Sequence, residues 1–174
     1  FGLKKTAISP LEMHDGPLGL RNPDGSAPAE GGELVGGSVP ATCFPAPCLT
    51  ACSWDPELLK KMGVNLAKEC LLQHTDIILA PGANIKRNPL CGRNFEYLSE
   101  DPLLAGKMAA GYIEGVQSQG VGVSLKHFAA NNQEYRRFNY SAEVDVRALR
   151  EIYLRPFEIA VKEANPWTVM CSYN

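Results

Sequence analysis

Two charged residues directly follow an apolar segment in the second half of the chain. Val121, Val123 and Leu125 alternate with smaller or polar residues, as in a short strand, and Lys126 and His127 come next. Because burial of Lys and His costs solvation energy, we expect the pair to emerge at the end of the strand, where it can hold a polar ligand. A solvated basic loop is the alternative interpretation of this segment taken alone.

Three other apolar segments also end in polar residues. These segments cover residues 7–13, 75–80 and 167–171, and the polar residues that follow them include Asp15, Arg93 and Tyr173, respectively. Because four segments share this pattern, a common binding site is favoured over four unrelated loops.

Predicted helices separate the four predicted strands. Asp55, Asp101 and Asp145 each provide an N-cap before a run with helical apolar spacing, and Asn165-Pro166 ends the last of these runs. Strands that alternate with helices of this length indicate parallel βαβ units. Ligands of such sheets bind beyond the carboxyl ends of the strands.

The predicted fold class is α/β, a partial (β/α)8 TIM-type barrel in which parallel strands alternate with helices. A complete barrel has eight strands in roughly 250 residues, whereas these 174 residues carry four predicted strands. Residues 1–174 are therefore expected to form about the first half of one barrel domain. Residues 22–47 are rich in Gly and Pro and are predicted to be a long surface loop within it.

The composition is that of an ordinary globular protein, with 45% apolar residues, 21% charged residues and a net charge of -2. This balance gives no indication of nucleic-acid binding, and no apolar run approaches the roughly 18 to 20 residues that cross a bilayer. The six cysteines include no C-x-x-C pair, so buried thiols are favoured over a metal site, and no cofactor is predicted. Free cysteines without a visible signal peptide favour a cytoplasmic location. Secretion stays open because the sequence does not begin with Met.

Five strings follow one another along the chain: His14-Asp-Gly-Pro-Leu-Gly-Leu-Arg21, Asn84-Ile-Lys-Arg-Asn-Pro-Leu-Cys-Gly-Arg-Asn-Phe-Glu-Tyr97, Ser99-Glu-Asp-Pro102, Lys126-His-Phe-Ala-Ala-Asn-Asn-Gln-Glu134 and Met170-Cys-Ser-Tyr-Asn174. Together they resemble the N-terminal barrel of glycoside hydrolase family 3, especially its β-glucosidases. Residues 22–47 are the least matched part. The resemblance implies a small carbohydrate ligand and a retaining, exo-acting hydrolase that removes the non-reducing terminal sugar from β-glucosides.

The resemblance also implies roles for individual residues in sugar subsite -1. Asp15 resembles the carboxylate that accepts hydrogen bonds from two sugar hydroxyls, and Arg21 resembles a second charge behind it. Arg93, Lys126 and His127 resemble the residues around the other hydroxyls. Because a sugar hydroxyl both donates and accepts hydrogen bonds, a pocket that mixes one carboxylate with several cations can satisfy it in both directions.

Three further residues complete the implied site. Arg137 follows Lys126 at the same separation along the sequence as in the family. Met170 resembles a wall of the pocket, and Tyr173 resembles the neighbour of the nucleophile. Arg137, like Arg21, can instead serve as a structural salt-bridge partner, and Met170 can be ordinary core.

The reacting carboxylates of the family are not found in these 174 residues. The resemblance implies an aspartate nucleophile in a Ser-Asp-Trp context and a glutamate acid/base in a later domain, so we predict no catalytic residue here and expect this polypeptide alone to hydrolyse nothing. The segment after His127 also lacks the second histidine of the N-acetylhexosaminidase branch. A non-catalytic sugar-binding barrel and a β-xylosidase or α-arabinosidase of the same family remain as alternatives. The sugar preference, the aglycone and the oligomeric state are left open.

Overall fold

Four parallel strands form the central sheet, in the order β1-β2-β3-β4. The computed structural model describes residues 9–25 and 37–174. The strands are β1 (Met13–Asp15), β2 (Ile77–Leu79), β3 (Gly122–Phe128) and β4 (Thr168–Cys171). Because the spatial order equals the chain order and all pairs are parallel, every connection crosses from one end of the sheet to the other, as in a (β/α)8 barrel.

Helices fill these connections. They are α1 (Pro47–Thr50), α2 (Pro56–Leu72), α3 (Pro102–Gln117), α4 (Val146–Ala148) and α5 (Arg155–Ala164). The predicted N-caps are confirmed. The Asp55 carboxylate accepts hydrogen bonds from the N–H groups of Glu57 and Leu58 at 3.0 and 3.1 Å, and Asp101 accepts one from Leu104 at 2.7 Å.

The core lies between the sheet and the helices. Leu66 of α2, Ile113 of α3 and Phe157 of α5 pack with Ile78 and Val123 of the strands, all at most 2% exposed. In α2 and α5 the buried residues lie on one face, since the other face meets solvent, whereas α3 lies between these two helices and is buried on most sides.

Helices α2 and α3 approach each other closely at glycines. A Cβ atom placed on Gly115 would lie 2.1 Å from the Lys60 carbonyl oxygen, and one placed on Gly63 would lie 2.6 Å from the Tyr112 carbonyl oxygen. Backbone therefore faces backbone at this crossing, and a side chain at either position would force the helices apart.

Strand β1 lies further along the chain than the sequence predicted. Residues 7–13 were the expected strand, but residues 9–12 are irregular and residues 7 and 8 lie outside the described part of the chain. Pro10 has no N–H to donate to a ladder. Pairing starts instead at Glu12, whose carbonyl oxygen accepts the N–H groups of Asp76 and Ile77 at 2.9 and 3.1 Å.

The helix predicted to start at Asp145 is broken into pieces. After α4, residues Leu149–Tyr153 form a π-helical turn in which the Leu154 N–H donates to the Leu149 carbonyl oxygen at 2.8 Å, and α5 then begins. Pro156 explains the break, because proline has no N–H for the carbonyl group four residues earlier. The end at Asn165, which adopts a left-handed conformation, is as predicted.

Some predicted burial was wrong. The apolar residues at helical spacing after Asp55 predict a core face of α2 that includes Leu58 and possibly Leu71, yet these two residues are 46% and 51% exposed. The buried stripe runs through Leu59, Leu66 and Cys70, and the predicted stripe was one residue too wide on each side.

The predicted loop 22–47 contains no helix or strand over residues 22–25 and 37–46, and residues 26–36 lie outside the described part. All six cysteines are unpaired. No helix in the described ranges is long and apolar enough to span a bilayer.

Candidate functional site

Polar side chains from β1 and β3 meet at the carboxyl end of the sheet. Asp15 is the last residue of β1, and Lys126 lies near the end of β3. The Lys126 ammonium nitrogen, Nζ, is 3.0 Å from the Asp15 oxygen Oδ1, although the two residues are 111 positions apart in the sequence. The convergence that the sequence predicted for these two residues is therefore present.

The sequence predicted that Lys126 and His127 emerge at the end of their strand. In the structure, both residues are instead buried within β3. Their exposed fractions are 2% and 5%. Lys126 tolerates burial because its Nζ lies between two carboxylates, Asp15 at 3.0 Å and Glu96 at 3.4 Å. A buried charge is stable where opposite charges and hydrogen bonds replace water.

Six charged side chains continue this pairing as a path of alternating sign, here called the charge chain: Asp15, Lys126, Glu96, Arg93, Glu134 and Arg137. Arg93 Nε donates to Glu96, and the other end of its guanidinium lies 3.9 Å from Glu134. Arg137 donates to Glu134 at 3.1 Å. The three acids and three bases of the charge chain balance to zero net charge.

Arg93 shows the electrostatic effect of this arrangement. Burial alone lowers the pKa of its guanidinium, but the hydrogen bond and the negative charge of Glu96 outweigh burial, so the pKa is raised. Arg93 therefore remains a fixed cation in the site.

The His127 backbone and ring are both held. Asn84 accepts the His127 N–H at 2.7 Å and donates to the His127 carbonyl oxygen at 2.8 Å. The ring nitrogen Nδ1 lies 3.0 Å from the Tyr97 hydroxyl oxygen. Burial, and then the positive charges of Arg93, Lys126 and Arg137, lower the pKa of the imidazole to about 2. The ring is therefore neutral at physiological pH.

Arg137 connects the charge chain to two aromatic rings. Its guanidinium carbon lies 4.9 Å from the centre of the Phe138 ring and 5.3 Å from that of Tyr173. The two rings are 4.6 Å apart, and both residues are largely exposed. Arg137 is thus both a salt-bridge partner, the structural alternative raised by the sequence, and a neighbour of Tyr173.

The remaining two predicted site residues lie apart from this network. The Arg21 side chain is exposed and forms no ion pair with Asp15, although the Arg21 backbone N–H donates to the Asp15 carbonyl oxygen at 2.8 Å. Met170 is half-buried in β4. Neither side chain joins the ion pairs that link the described residues of the site.

Sequence reasoning assigned no role to several residues that organise the site: Asn84, Glu96, Tyr97, Asn131 and Glu134. All five lie within the quoted motif strings. A readable signal existed for two of them, because Arg93 with Glu96 and Glu134 with Arg137 are opposite charges three residues apart. The partners of Tyr97 and Asn131 depend on tertiary contacts between two loops, which no local spacing predicts.

Cavities among the described residues also lie away from the predicted site. An apolar groove of about 510 Å³ runs between α5 and β4, and none of the predicted site residues lines it. A second cavity of about 310 Å³ is lined in part by Lys86, Cys48 and Cys52. Lys86 is half-buried, and burial lowers the pKa of its ammonium group.

The fold and the site define part of a parallel α/β barrel whose polar residues gather at the carboxyl end of its sheet. Comparison with known proteins agrees with this class. Residues 26–174 match the family described as "Glycosyl hydrolase family 3 N terminal domain". The chain therefore belongs to glycosyl hydrolase family 3.

Named relatives are highly similar over nearly the whole chain. Thermostable β-glucosidase B of Acetivibrio thermocellus is 55% identical over 99% of this chain, which corresponds to 22% of that protein. An exo-α-(1→6)-L-arabinopyranosidase of Bifidobacterium longum is also 55% identical over 99% of the chain and 23% of its own length. The chain thus spans about a fifth of the length of these curated relatives.

Solved structures show the same fold. A β-glucosidase of Bifidobacterium adolescentis matches with a TM-score of 0.89 and 53% identity, over 99% of this chain and 24% of that one. β-Glucosidase 3B of Thermotoga neapolitana, solved in complex with α-D-glucose, matches with a TM-score of 0.83 and 51% identity, over 93% and 22%. The predicted partial barrel and the family resemblance are confirmed.

Proposed function

We propose that the polypeptide that carries this chain is a retaining, exo-acting glycosidase that removes a non-reducing terminal sugar from β-glucosides. In this proposal the present domain supplies most of subsite -1, and the nucleophile and the acid/base lie outside these 174 residues. The supporting observation is the convergence of Asp15 and Lys126 at the carboxyl end of the sheet, with Lys126 Nζ 3.0 Å from Asp15.

Asp15 is suited to accept hydrogen bonds from sugar hydroxyls. Its side chain is 52% exposed, and its oxygen Oδ1 accepts from Lys126. Within residues 9–25 and 37–174, no donor bonds to its second oxygen, Oδ2. A carboxylate oxygen in this state can accept a hydrogen bond from a sugar hydroxyl, while Lys126 keeps the carboxylate in place.

The cations around Asp15 are suited to donate hydrogen bonds to the same sugar. Lys126 and Arg93 donate hydrogen bonds and cannot accept them at neutral pH, so they pair with the oxygen atoms of sugar hydroxyls. A hydrogen bond to a charged group contributes about 1.5 to 3 kcal/mol. Bonds to the 2-hydroxyl strengthen as positive charge develops on the sugar ring in the transition state, so part of this binding energy accelerates the reaction.

A second candidate is an α-L-arabinopyranosidase of the same family. The relatives supply a specific reason, since a β-glucosidase and an exo-α-(1→6)-L-arabinopyranosidase share the same 55% identity with this chain. Such sugars differ in part by a hydroxymethyl group, whose discrimination is worth about 1 to 3 kcal/mol. The residues of the charge chain do not decide between them.

The decisive experiment uses the natural polypeptide, read from its coding sequence. We expect it to hydrolyse p-nitrophenyl β-D-glucopyranoside and to release β-glucose first, as NMR can detect. In Asp15→Asn, loss of about two charged hydrogen bonds should lower kcat/KM by roughly 10²- to 10⁴-fold. Glu163→Gln, at an exposed ion pair, is the matched control and should leave kcat/KM unchanged.

Other outcomes would redirect the assignment. A kcat/KM at least tenfold higher for p-nitrophenyl α-L-arabinopyranoside would favour the second candidate. A polypeptide that binds glucose in calorimetry, loses that binding in Asp15→Asn and hydrolyses none of these substrates would be a non-catalytic sugar-binding barrel. Hydrolysis unaffected by Asp15→Asn would refute the proposed site.

A further inference from the structure

A row of hydrogen bonds leads from Glu134 through Asn131 and Tyr97 to the ring of His127. We propose that Asn131 and Tyr97 fix His127 in the neutral tautomer that carries its hydrogen on Nε2, so that the ring presents only a hydrogen-bond donor to a ligand in the site. The nature of that ligand, a sugar, rests on the proposed function, whereas the tautomer follows from the protein alone.

Glu134 determines which group donates in each hydrogen bond of the row. The Asn131 nitrogen Nδ2 lies 3.2 Å from the Glu134 oxygen Oε1 and 2.7 Å from the Tyr97 hydroxyl oxygen. Glu134 forms ion pairs with the guanidinium groups of Arg137 at 3.1 Å and Arg93 at 3.9 Å, and the carboxylate of such a pair only accepts hydrogen bonds. The Asn131 group that faces both neighbours must therefore be the amide NH₂, which donates to each.

The next step concerns the single hydrogen of the Tyr97 hydroxyl. Tyr97 is completely buried, and among the described residues its hydroxyl has two hydrogen-bond partners, Asn131 and the His127 nitrogen Nδ1 at 3.0 Å. Because Asn131 donates to the hydroxyl, the hydroxyl hydrogen can only go to His127. If Nδ1 carried a hydrogen instead, Tyr97 would keep a buried donor without an acceptor, which is costly.

An Nδ1 that accepts leaves the ring hydrogen of neutral His127 on Nε2. Burial opposes protonation of both nitrogens, as do the positive charges of Arg93, Lys126 and Arg137. Among the described residues Nε2 has no hydrogen-bond partner, and it is not one of the fully buried polar atoms left unpaired. The Nε2–H group therefore remains available to a ligand.

This tautomer constrains how a sugar is held. Lys126 and His127 are adjacent in sequence, and both would donate, so a hydroxyl that contacts His127 must accept there through its oxygen. Its own hydrogen must then go to a different acceptor, such as Asp15. A fluorine in place of that hydroxyl keeps a weak acceptor for His127, whereas a hydrogen atom keeps none. Among the monodeoxy and monodeoxyfluoro glucosides, one position should show better binding for fluorine than for hydrogen.

Neutron diffraction from crystals of the natural polypeptide in D₂O tests the tautomer without any requirement for catalysis. We expect deuterium on His127 Nε2, none on Nδ1, and the Tyr97 deuterium directed at Nδ1. Deuterium on Nδ1 would overturn the proposal, even if the protein were an active glycosidase. The expected pattern in a protein without hydrolytic activity would uphold the tautomer while refuting the proposed function.

A pair of variants tests the consequence for the ligand. Tyr97→Phe removes the hydroxyl that selects the tautomer, and we expect kcat/KM for the β-glucoside to fall roughly 5- to 30-fold, together with loss of the preference for fluorine over hydrogen. Tyr112→Phe is the matched control, because the buried Tyr112 hydroxyl has no hydrogen-bond partner in residues 9–25 and 37–174, and its kinetics should equal those of the wild type. A Tyr97→Phe protein with wild-type kinetics and an unchanged fluorine preference would contradict the proposal.

Discussion

Replacement of Glu96 by Gln is the sharpest test of the charge chain. The Glu96 side chain is 3% exposed, and it lies between Arg93 and Lys126, which are 21% and 3% exposed. The Gln side chain is nearly isosteric, so the change removes one buried negative charge from between two cations. Arg93 keeps Glu134 at 3.9 Å, and Lys126 keeps Asp15 at 3.0 Å.

The expected magnitude follows from these remaining partners. Removal of one member of a buried ion pair destabilises a protein by about 3 to 5 kcal/mol. Because both cations retain a second carboxylate, we expect the lower end, about 3 kcal/mol. For a domain of this size, that corresponds to a decrease in Tm of about 6 to 12 °C.

The assay is thermal unfolding of the natural polypeptide, with Glu163→Gln as the control. The ion pair of Glu163 with Lys107 is short, at 2.7 Å, but its side chains are 39% and 48% exposed. Such surface pairs contribute about 0 to 1 kcal/mol, so the control should melt close to the wild type. If the Tm values of Glu96→Gln and Glu163→Gln lay within about 2 °C of each other, the predicted stabilisation of the fold by the buried Glu96 charge would be refuted.

Three further predictions follow from other parts of the structure. Gly115→Ala should destabilise the fold by about 1 to 3 kcal/mol, because the new Cβ would lie 2.1 Å from a carbonyl oxygen of α2. Gly92→Ala is the control and should change the Tm little, because its Cβ would have no neighbour closer than 3.8 Å. Equal Tm values for the two variants would refute the close helix contact. Burial raises the pKa of the Cys70 thiol to about 11, so iodoacetamide at pH 8 should alkylate the exposed Cys43 and spare Cys70 in the folded protein, as peptide mass spectrometry can check. The pKa of His127 falls from 6.5 to about 2 on folding, so the unfolded state binds more protons between these values and stability from this residue is lost as pH falls below 6.5. Urea unfolding should show a pH slope up to about 1.4 kcal/mol per unit steeper in the wild type than in His127→Gln, and identical slopes would contradict a neutral buried ring.

Local signals in the sequence predicted most of the architecture. The N-caps at Asp55 and Asp101 and the stop at Asn165 lie where predicted, because caps depend on neighbouring residues only. The alternation of helices and strands likewise indicated parallel order, since the handedness and length of the connections leave few other arrangements. The break at Leu149–Tyr153 was missed because the apolar spacing continues through Pro156.

The candidate site was predicted in part. The pairing of Asp15 with Lys126 followed from the rule that strand ends converge, but the burial of Lys126 did not, because a buried lysine depends on a partner, Glu96, that lies 30 residues earlier in the chain. The hydrogen-bond partners of Tyr97 and Asn131 likewise required three-dimensional contacts. Which tautomer His127 adopts could not be read from residue spacing, since it depends on the direction of donors in a neighbouring loop.

The balance of charge in the charge chain also bears on which ligands can enter. Every cation of the charge chain is paired with a carboxylate, so a phosphorylated sugar would add negative charge that the charge chain has no unpaired cation to balance, and an amino sugar would meet the reverse problem. An uncharged polyol exchanges its hydrogen bonds with water for hydrogen bonds with the protein and leaves that balance intact. Under the proposed function, neutral saccharides are therefore the molecules that this arrangement admits most easily.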